Sequence, residues 1–258
     1  MSIDHWNAKH YHQSSDMQYH IALDILADEH FNAEDTILDI GCGSGRVTAD
    51  IATLVPQNQV TGVDLSENMI TFAKQQYKAI KNLNFITGDI LNLQLDSKLT
   101  KIFTFSMLQW VTDFHPAFSQ VYLNLESQGR FVGGYFLKCP QIWDSLDELI
   151  TTPSWKKYFE NYDSGFYQHE KEYCQSALKQ AGFQLKIVEL NKDFIFKDKE
   201  SIINHTKNWL PHLSRLPKNK VDYFLSELVN LIMNKSQVND KGHIITNCGY
   251  VIFHASKL

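Results

Sequence analysis

The feature that most constrains the fold of this chain is a glycine-rich turn between two short apolar segments. Residues 37–45 read Ile-Leu-Asp-Ile-Gly-Cys-Gly-Ser-Gly, and a second apolar segment, residues 60–63, leads into Asp64. In a doubly wound α/β sheet, this order brings a glycine-rich loop next to a carboxylate at the ends of neighbouring parallel strands. Glycines let the main chain approach a ligand closely, and the carboxylate can accept hydrogen bonds from ribose hydroxyls. The pattern therefore predicts a site for a nucleoside-containing cofactor.

The glycine spacing excludes two common nucleotide-binding loops. A dinucleotide fingerprint G-x-G-x-x-G that starts at Gly41 needs a third glycine where Arg46 stands. A triphosphate-binding loop ends in Gly-Lys-Ser/Thr, which the sequence lacks. The pattern that remains is D-x-G-x-G-x-G, residues 39–45. The alternative is a glycine-rich turn that binds no ligand. The cofactor site is favoured because further motifs follow the later predicted strands at corresponding positions.

Short apolar segments alternate with amphipathic segments from residue 35 to about residue 190, which predicts a parallel sheet with helices on both faces. The predicted strands cover residues 36–40, 59–63, 84–87, 101–105, 130–137, a segment from residue 183, and residues 243–255. We therefore predict a single domain over residues 1–258, built on a doubly wound, seven-stranded, mostly parallel sheet. Residues 140–169 and 198–240 interrupt the alternation and are expected to be helical lid insertions.

Composition excludes several classes of partner. The 258-residue chain has a net charge of −5, so no general basic field attracts nucleic acid. No apolar stretch approaches the ~20 residues that span a bilayer, and the first residues lack a secretory signal pattern. The four cysteines are scattered without C-x-x-C spacing, which predicts reduced thiols and no metal site. We therefore expect a cytoplasmic protein with no nucleic-acid or membrane partner.

Two further motifs follow predicted strands and are expected at the same edge of the sheet. Residues 88–90 read Gly-Asp-Ile, where Asp89 is suited to accept a hydrogen bond from an adenine amine and Ile90 to cover the ring. Residues 106–110 read Ser-Met-Leu-Gln-Trp after the fourth strand. The alternatives are an ordinary turn acid for Asp89 and a core aromatic for Trp110.

Taken together, these motifs resemble those of the class I S-adenosylmethionine (SAM)-dependent methyltransferases. The resemblance implies that residues 39–45 hold the methionine part of SAM, where backbone N–H groups at a helix N-terminus suit a carboxylate. It also implies that Asp39 faces the ammonium group, Asp64 the ribose and Leu65 the adenine. A helix-capping acid is the alternative for Asp64. The implied cofactor-binding residues are Asp39, Gly41, Cys42, Gly43, Gly45, Asp64, Leu65, Met69, Asp89, Ile90, Ser106 and Met107.

Within class I, the chain resembles the carboxyl methyltransferase branch, with its trans-aconitate, juvenile hormone acid and malonyl-carrier-protein types. Trp6-Asn7 with Tyr11 resembles the opening of the trans-aconitate type. Residues 15–18, Ser-Asp-Met-Gln, resemble the segment that contributes a glutamine to the active site of the juvenile hormone type. Residues 108–111 resemble the branch's motif after the fourth strand. The resemblance implies that Gln18 and Trp110 are the catalytic-site residues that line the acceptor pocket, and that no metal is involved.

The resemblance implies methyl transfer to a small molecule, with S-adenosylhomocysteine as the product and a carboxylate oxygen as the expected acceptor. A carboxylate is ionised at neutral pH and attacks the methyl group in line without a general base. The pocket should then offer a cation or N–H donors, for which Arg215, His205 and His212 are candidates. A monomer or a weak homodimer is expected.

Two alternatives to a free small acid stay open. One is an acid bound to a carrier protein, which would dock on a basic face containing Lys156, Lys157, Lys218 and Lys220. The other is a protein that binds SAM without transferring a methyl group. A base-modifying enzyme is disfavoured, because the Asn/Asp-Pro-Pro-aromatic loop expected after the fourth strand is replaced by Ser-Met-Leu-Gln-Trp.

Overall fold

The computed structural model describes residue 4, residues 6–93, residue 95 and residues 97–258, with the backbone alone for Asn208. The helices in this part of the chain are α1 Ala8–Ser14, α2 Asp16–Leu26, α3 Arg46–Leu54, α4 Glu67–Gln76, α5 Phe114–Asn124, α6 Pro140–Ile150, α7 Lys156–Phe159, α8 Lys171–Ala181, α9 Lys199–Trp209 and α10 Val221–Lys235. The strands are β1 Ile37–Ile40, β2 Val60–Asp64, β3 Leu83–Thr87, β4 Leu99–Phe105, β5 Leu125–Phe136, β6 Gln184–Phe196, β7 Gln237–Val238 and β8 Ile244–Ser256.

Within the described residues these strands form one sheet, in the order β3-β2-β1-β4-β5-β8-β6, with the two-residue β7 paired to β8. The pairs that join β3, β2, β1, β4 and β5 are parallel. The long β8 runs antiparallel to both β5 and β6. The predicted doubly wound, mostly parallel sheet is confirmed, and β7 is an addition that the sequence pattern did not indicate.

Side-chain alternation along the central strands divides the core between the two faces of the sheet. In β1, Ile37 packs on one face with residues of α2, α3, α6, α9 and α10. The next residue, Leu38, packs on the other face with residues of α5 and α8. The two segments expected to be lid insertions thus supply α6, α7, α9 and α10. These helices pack on the same face, and α10 contacts both α6 and α9.

The start of β5 differs from the prediction. We predicted a strand over residues 130–137, but α5 ends at Asn124 and β5 begins at Leu125. Leu125 pairs with Leu99, whereas Arg130 pairs with Lys101, so the intervening residues form an irregularity in the register. The turn residue Gln128 has a φ of 66°, so the chain direction changes inside the strand rather than at the helix end.

Candidate functional site

The glycine-rich loop and Asp64 lie side by side at the ends of two adjacent parallel strands. Ile40 of β1 is paired with Val63 of β2, and the N–H of Gly41 donates to the Val63 carbonyl at 2.7 Å. The Gly43 N–H donates to Oδ2 of Asp64 at 2.8 Å, and the Ser66 N–H donates to Oδ1 at 2.9 Å. The juxtaposition that the sequence predicted is therefore present, and Asp64 itself fixes the path of the loop.

The tip of this loop requires glycine for two separate reasons. Gly41 has a φ of +75°, a backbone conformation that side chains make unfavourable. A Cβ atom on Gly41 would also lie 2.3 Å from Cγ of Met107, in the loop that follows β4. The two loops therefore touch, and glycine is the residue that permits this contact.

Two buried carboxyl groups give the loop its electrostatic character. Burial raises the pKa of Asp64, and the N–H groups of Ser66 and Gly43 oppose that shift. Asp39 lies behind the loop, where the Thr48 hydroxyl donates to its Oδ2 at 2.7 Å. Burial, and to a smaller extent the nearby Asp64, raise the pKa of Asp39 to about 7 against the opposing effect of the Thr48 hydrogen bond. A cation that approaches this loop would favour the ionised form of both acids.

An open pocket, which we call the glycine-loop pocket, lies beside these elements. Residues predicted to bind a cofactor make up much of its wall, namely Gly41, Gly43, Asp64, Leu65, Met69, Asp89, Ile90, Ser106 and Met107. Leu65 is 67% exposed, so its side chain is accessible to a molecule in the pocket. The wall thus combines main-chain amides, a carboxylate and an accessible apolar surface.

The remaining predicted cofactor residues do not line this pocket. Asp39 is bonded to Thr48 behind the loop, and the Cys42 side chain packs in a small apolar cluster with Phe85. A Cβ atom on Gly45 would lie 2.6 Å from Cζ of Phe85, so this glycine allows α3 and β3 to pack closely. Asp39, Cys42 and Gly45 support the loop from behind, and direct contact of these three with a cofactor stays a prediction.

A second pocket adjoins the first, and we call it the aromatic pocket. Trp6, Tyr11, Ser106 and Trp110 line both pockets, and we call these residues the shared wall. Gln18 and Trp110, the two residues predicted to line an acceptor site, both lie in the aromatic pocket. Its wall also contains residues that were not predicted, among them Phe136 at the end of β5 and Phe194 and Phe196 at the end of β6.

Aromatic contacts and an unusual backbone conformation hold the shared wall in place. The Trp110 indole meets Trp6 edge to face at 5.7 Å between ring centroids, and Phe166 at 5.3 Å. Ser106 has a φ of 53°, which is uncommon for a non-glycine residue and often marks a functional site. Its N–H donates to the Gly134 carbonyl at 2.8 Å, so the end of β5 fixes this conformation.

The amide and imidazole groups of the aromatic pocket are neutral. Gln109 donates from Nε2 to the Ser106 carbonyl at 2.6 Å, while its Oε1 and that of Gln18 have no hydrogen-bond partner within the described residues. His205 lines the pocket, and burial lowers its pKa to about 4, so its imidazole is uncharged at neutral pH.

The other candidate cations lie outside the wall of the aromatic pocket. Burial, and the nearby Lys138, lower the pKa of His212 to about 4, and its ring packs against Tyr162 at 4.9 Å. Arg215 donates from Nε to the Tyr158 carbonyl at 3.4 Å on the exposed side of this region. Of the three candidates, His205 is the one that the described wall contains, and it supplies an N–H donor rather than a cation.

The lysines suggested for carrier-protein docking lie at α7 and just before α10. Lys220 Nζ lies 5.9 Å from the Trp155 ring centroid, and Lys157 Nζ lies 5.1 Å from that of Tyr158. In the part of the chain that the structure describes, no group of three or more His, Cys, Asp or Glu side chains could hold a metal ion. None of the described helices has the length and apolar character needed to cross a bilayer.

A family model described as "Methyltransferase domain" matches residues 31–227, which is more than half of the chain. The chain belongs to this methyltransferase domain family. The methyltransferase is 29% identical over 231 residues to protein 235L of Invertebrate iridescent virus 6, which also carries a methyltransferase name (89% of this chain, 86% of the relative). It is 26% identical to juvenile hormone acid O-methyltransferase of Drosophila melanogaster over 216 residues (79% and 72%). It is 24% identical to trans-aconitate 2-methyltransferase of Escherichia coli O157:H7 over 243 residues (93% and 93%).

Solved structures share the fold of the methyltransferase. YcgJ of Bacillus subtilis superposes with a TM-score of 0.63 at 18% identity, covering 93% of this chain and 98% of that chain. Phosphoethanolamine N-methyltransferase 2 of Haemonchus contortus, in complex with SAM, gives 0.59 at 19% identity, covering 93% and 52%. At these identities the likeness concerns the fold, which matches the class I architecture that the sequence resembled.

Proposed function

We propose that this methyltransferase uses SAM to methylate a carboxylate oxygen of a small molecule. The observation that carries the proposal is the shared wall, because Ser106 and Trp110 face both a nucleoside-type pocket and an apolar pocket. A methyl group can pass between two bound molecules only where their sites meet. The names of the juvenile hormone acid and trans-aconitate relatives support an acid as the acceptor.

The glycine-loop pocket has the donors and acceptors that SAM needs. The Asp64 carboxylate suits the ribose hydroxyls, and the exposed Leu65 and the Ile90 side chain suit the two faces of an adenine ring. The N–H groups of Gly41, Cys42, Gly43 and Gly45 donate within the protein, so the first turn of α3 is the part of this segment that suits the methionine carboxylate. When bound, SAM supplies an electrophilic methyl group on a positively charged sulfur.

The residues of the aromatic pocket then act by alignment and exclusion of water. A carboxylate is ionised at neutral pH, so it needs no base, and the neutral His205 and Gln18 suffice as hydrogen-bond groups. Trp110, held edge to face between Trp6 and Phe166, closes the shared wall against solvent. In a dry site, alignment of the acceptor oxygen with the methyl group accounts for most of the expected rate gain.

The cofactor part of the proposal is tested by calorimetry on Asp64→Ala. Loss of a charged acceptor for two hydroxyls is expected to weaken SAM binding by roughly 10- to 100-fold. Asp240→Ala, at an exposed turn acid, is the matched control and should bind as the parent does. An Asp64→Ala variant that binds SAM as tightly as the parent would contradict the ribose assignment.

The reaction is tested with a panel of organic acids and methyl-labelled SAM, scored for labelled ester that is hydrolysed by alkali. Ester from at least one acid, absent without protein, is expected. If SAM binds but no member of the panel is labelled, the chain binds SAM without carboxyl transfer. If SAM does not bind at all, both parts of the proposal fail.

A further inference from the structure

The wall of the aromatic pocket carries no formally charged side chain among the described residues that form it. Aromatic rings dominate the rest of this wall outside the four shared residues, which we call its deep part, and include Phe136, Trp143, Phe166, Phe194, Phe196 and Trp209. The imidazole of His205, which also lies there, is neutral because burial disfavours its charged form. The pocket therefore offers an apolar surface with isolated neutral hydrogen-bond groups.

The cations nearest this region are engaged outside the pocket. Lys138 lies over the Trp143 ring, with Nζ 4.9 Å from the centroid, but does not line the wall. Arg215 lies over the Tyr162 ring at 5.6 Å and donates to the Tyr158 carbonyl. An anionic group in the deep part of the pocket would thus lack a countercharge from the described residues.

We propose that the acceptor is a monocarboxylic acid with an apolar body, and that the aromatic pocket rejects acids with a second carboxylate. This inference rests on the proposed function. One carboxylate at the shared wall is balanced by the positive sulfur of SAM. A second carboxylate among Phe194, Phe196 and Trp209 would be removed from water without a partner, which is strongly unfavourable. An apolar body in the same place is favoured because it covers aromatic surface.

The shape of the site sets the direction in which this acceptor lies. The four residues of the shared wall meet the glycine-loop pocket, so the reacting carboxylate belongs there. The ends of β5 and β6 and the helix α9 then surround the rest of the molecule. His205 on α9 becomes a specificity-determining residue, because its neutral ring stands where a cation would be needed to accept a dicarboxylic acid.

The test compares octanoic acid with octanedioic acid, which have equal chain length and differ by one terminal carboxylate. With methyl-labelled SAM at neutral pH, kcat/KM for octanoate is expected to exceed that for octanedioate by at least ~100-fold. Equal kcat/KM values, or a preference for the diacid, would overturn the inference while leaving carboxyl methylation intact.

Two variants of His205 sharpen the result. His205→Arg adds the missing countercharge and should reduce the ratio of kcat/KM values by at least ~10-fold, mainly through a lower KM for the diacid. His205→Gln adds no charge and should keep the parent's ratio. Thermal melting and SAM binding of both variants show whether each is folded, and a ratio unchanged in a folded His205→Arg variant contradicts the assigned role of His205.

A binding measurement decides the preference independently of turnover and of any variant. Calorimetry on the parent protein with S-adenosylhomocysteine compares methyl octanoate with monomethyl octanedioate, the products of the two reactions. The uncharged ester should bind at least ~10-fold more tightly. Equal binding refutes the inference. SAM binding without ester from any acid of the panel refutes the proposed function instead, so the two failures are distinguishable.

Discussion

The glycine-loop pocket and the aromatic pocket share a wall but are built by different means. The first is made largely from short loops at the carboxyl ends of β1, β2, β3 and β4, and its defining contacts are main-chain hydrogen bonds to Asp64. The second is made from side chains of elements far apart in the chain, from Gln18 on α2 to Cys248 on β8. One pocket thus depends on backbone geometry and the other on tertiary packing.

This difference explains where polarity lies in the molecule. Backbone amides at strand ends cannot be removed by mutation, so the glycine-loop pocket stays polar whatever its side chains are. The wall of the aromatic pocket consists of side chains and can be made free of charge, as it is among the described lining residues. We therefore expect substitutions in the first pocket to affect folding and cofactor binding together, and substitutions in the second to affect the acceptor alone.

The largest expected effect comes from Gly41→Ala in the glycine-loop pocket. The new Cβ atom would lie 2.3 Å from Cγ of Met107, and the backbone at this position has a positive φ. The cost of overpacking therefore adds to the cost of backbone strain. We expect a loss of about 2–5 kcal/mol in the free energy of unfolding, with a parallel loss of SAM affinity. Urea unfolding and calorimetry measure the two effects.

Gly165→Ala is the matched control for this substitution. Gly165 has a similar φ of +71°, but an added Cβ would meet no atom within 4 Å. It should cost about 1–2 kcal/mol from backbone strain alone and leave SAM binding unchanged. Equal destabilisation by the two substitutions would show that the Met107 contact contributes nothing.

Because the glycine-loop pocket depends on backbone geometry, much of it could be predicted from the sequence. A loop that needs glycine at positive φ and an acid at a strand end leaves a local pattern, and residues 39–45 with Asp64 carry it. The same pattern does not separate glycines that face a ligand from those that allow packing. Gly41 and Gly43 line the pocket, whereas Gly45 accommodates Phe85.

The aromatic pocket leaves a weaker pattern in the sequence. Phe194 and Phe196 reach it because the antiparallel pairing of β6 with β8 continues to the pair Phe196–Ile244. These paired residues lie about fifty positions apart in the sequence. The tertiary fold decides which residues pair over such a separation, and the alternation within one strand does not determine it. Gln18 and Trp110 were predicted from family resemblance, and their catalytic roles stay predictions, of which the following substitution tests that of Gln18.

A smaller, more selective effect is expected for Gln18→Ala in the aromatic pocket. Gln18 lines this pocket and is absent from the described wall of the glycine-loop pocket. Loss of one neutral hydrogen-bond group should lower kcat/KM for the acceptor by about 10-fold with no change in SAM affinity. Gln13→Ala, at an exposed position of α1, is the control. A fall in SAM affinity equal to the fall in turnover would contradict the division between the two pockets.

The smallest expected effect is the pH dependence of the free energy of unfolding, to which one group in each region contributes with opposite sign. Asp39, behind the glycine loop, has a pKa raised from 3.8 to about 7 by burial. Between these values the folded state holds a proton that the unfolded state has lost, so this group makes the free energy of unfolding fall as pH rises. His205 has a pKa lowered from 6.5 to about 4 by burial, so the unfolded state holds the additional proton and stability rises with pH.

Single substitutions separate these opposed contributions between pH 4 and pH 6.5. Asp39→Asn removes the falling contribution, so stability should rise with pH more steeply than in the parent. His205→Gln removes a rising contribution, so the rise should become shallower. Each change in slope is at most ~1.4 kcal/mol per pH unit, because one proton is involved. Urea unfolding at several pH values measures both slopes, and a change of the same sign in the two variants would mean that these groups are not buried as described. Opposite changes would show that burial holds both the acid behind the loop and the imidazole in the aromatic pocket neutral, and neutrality of the imidazole is the condition for a charge-free acceptor site.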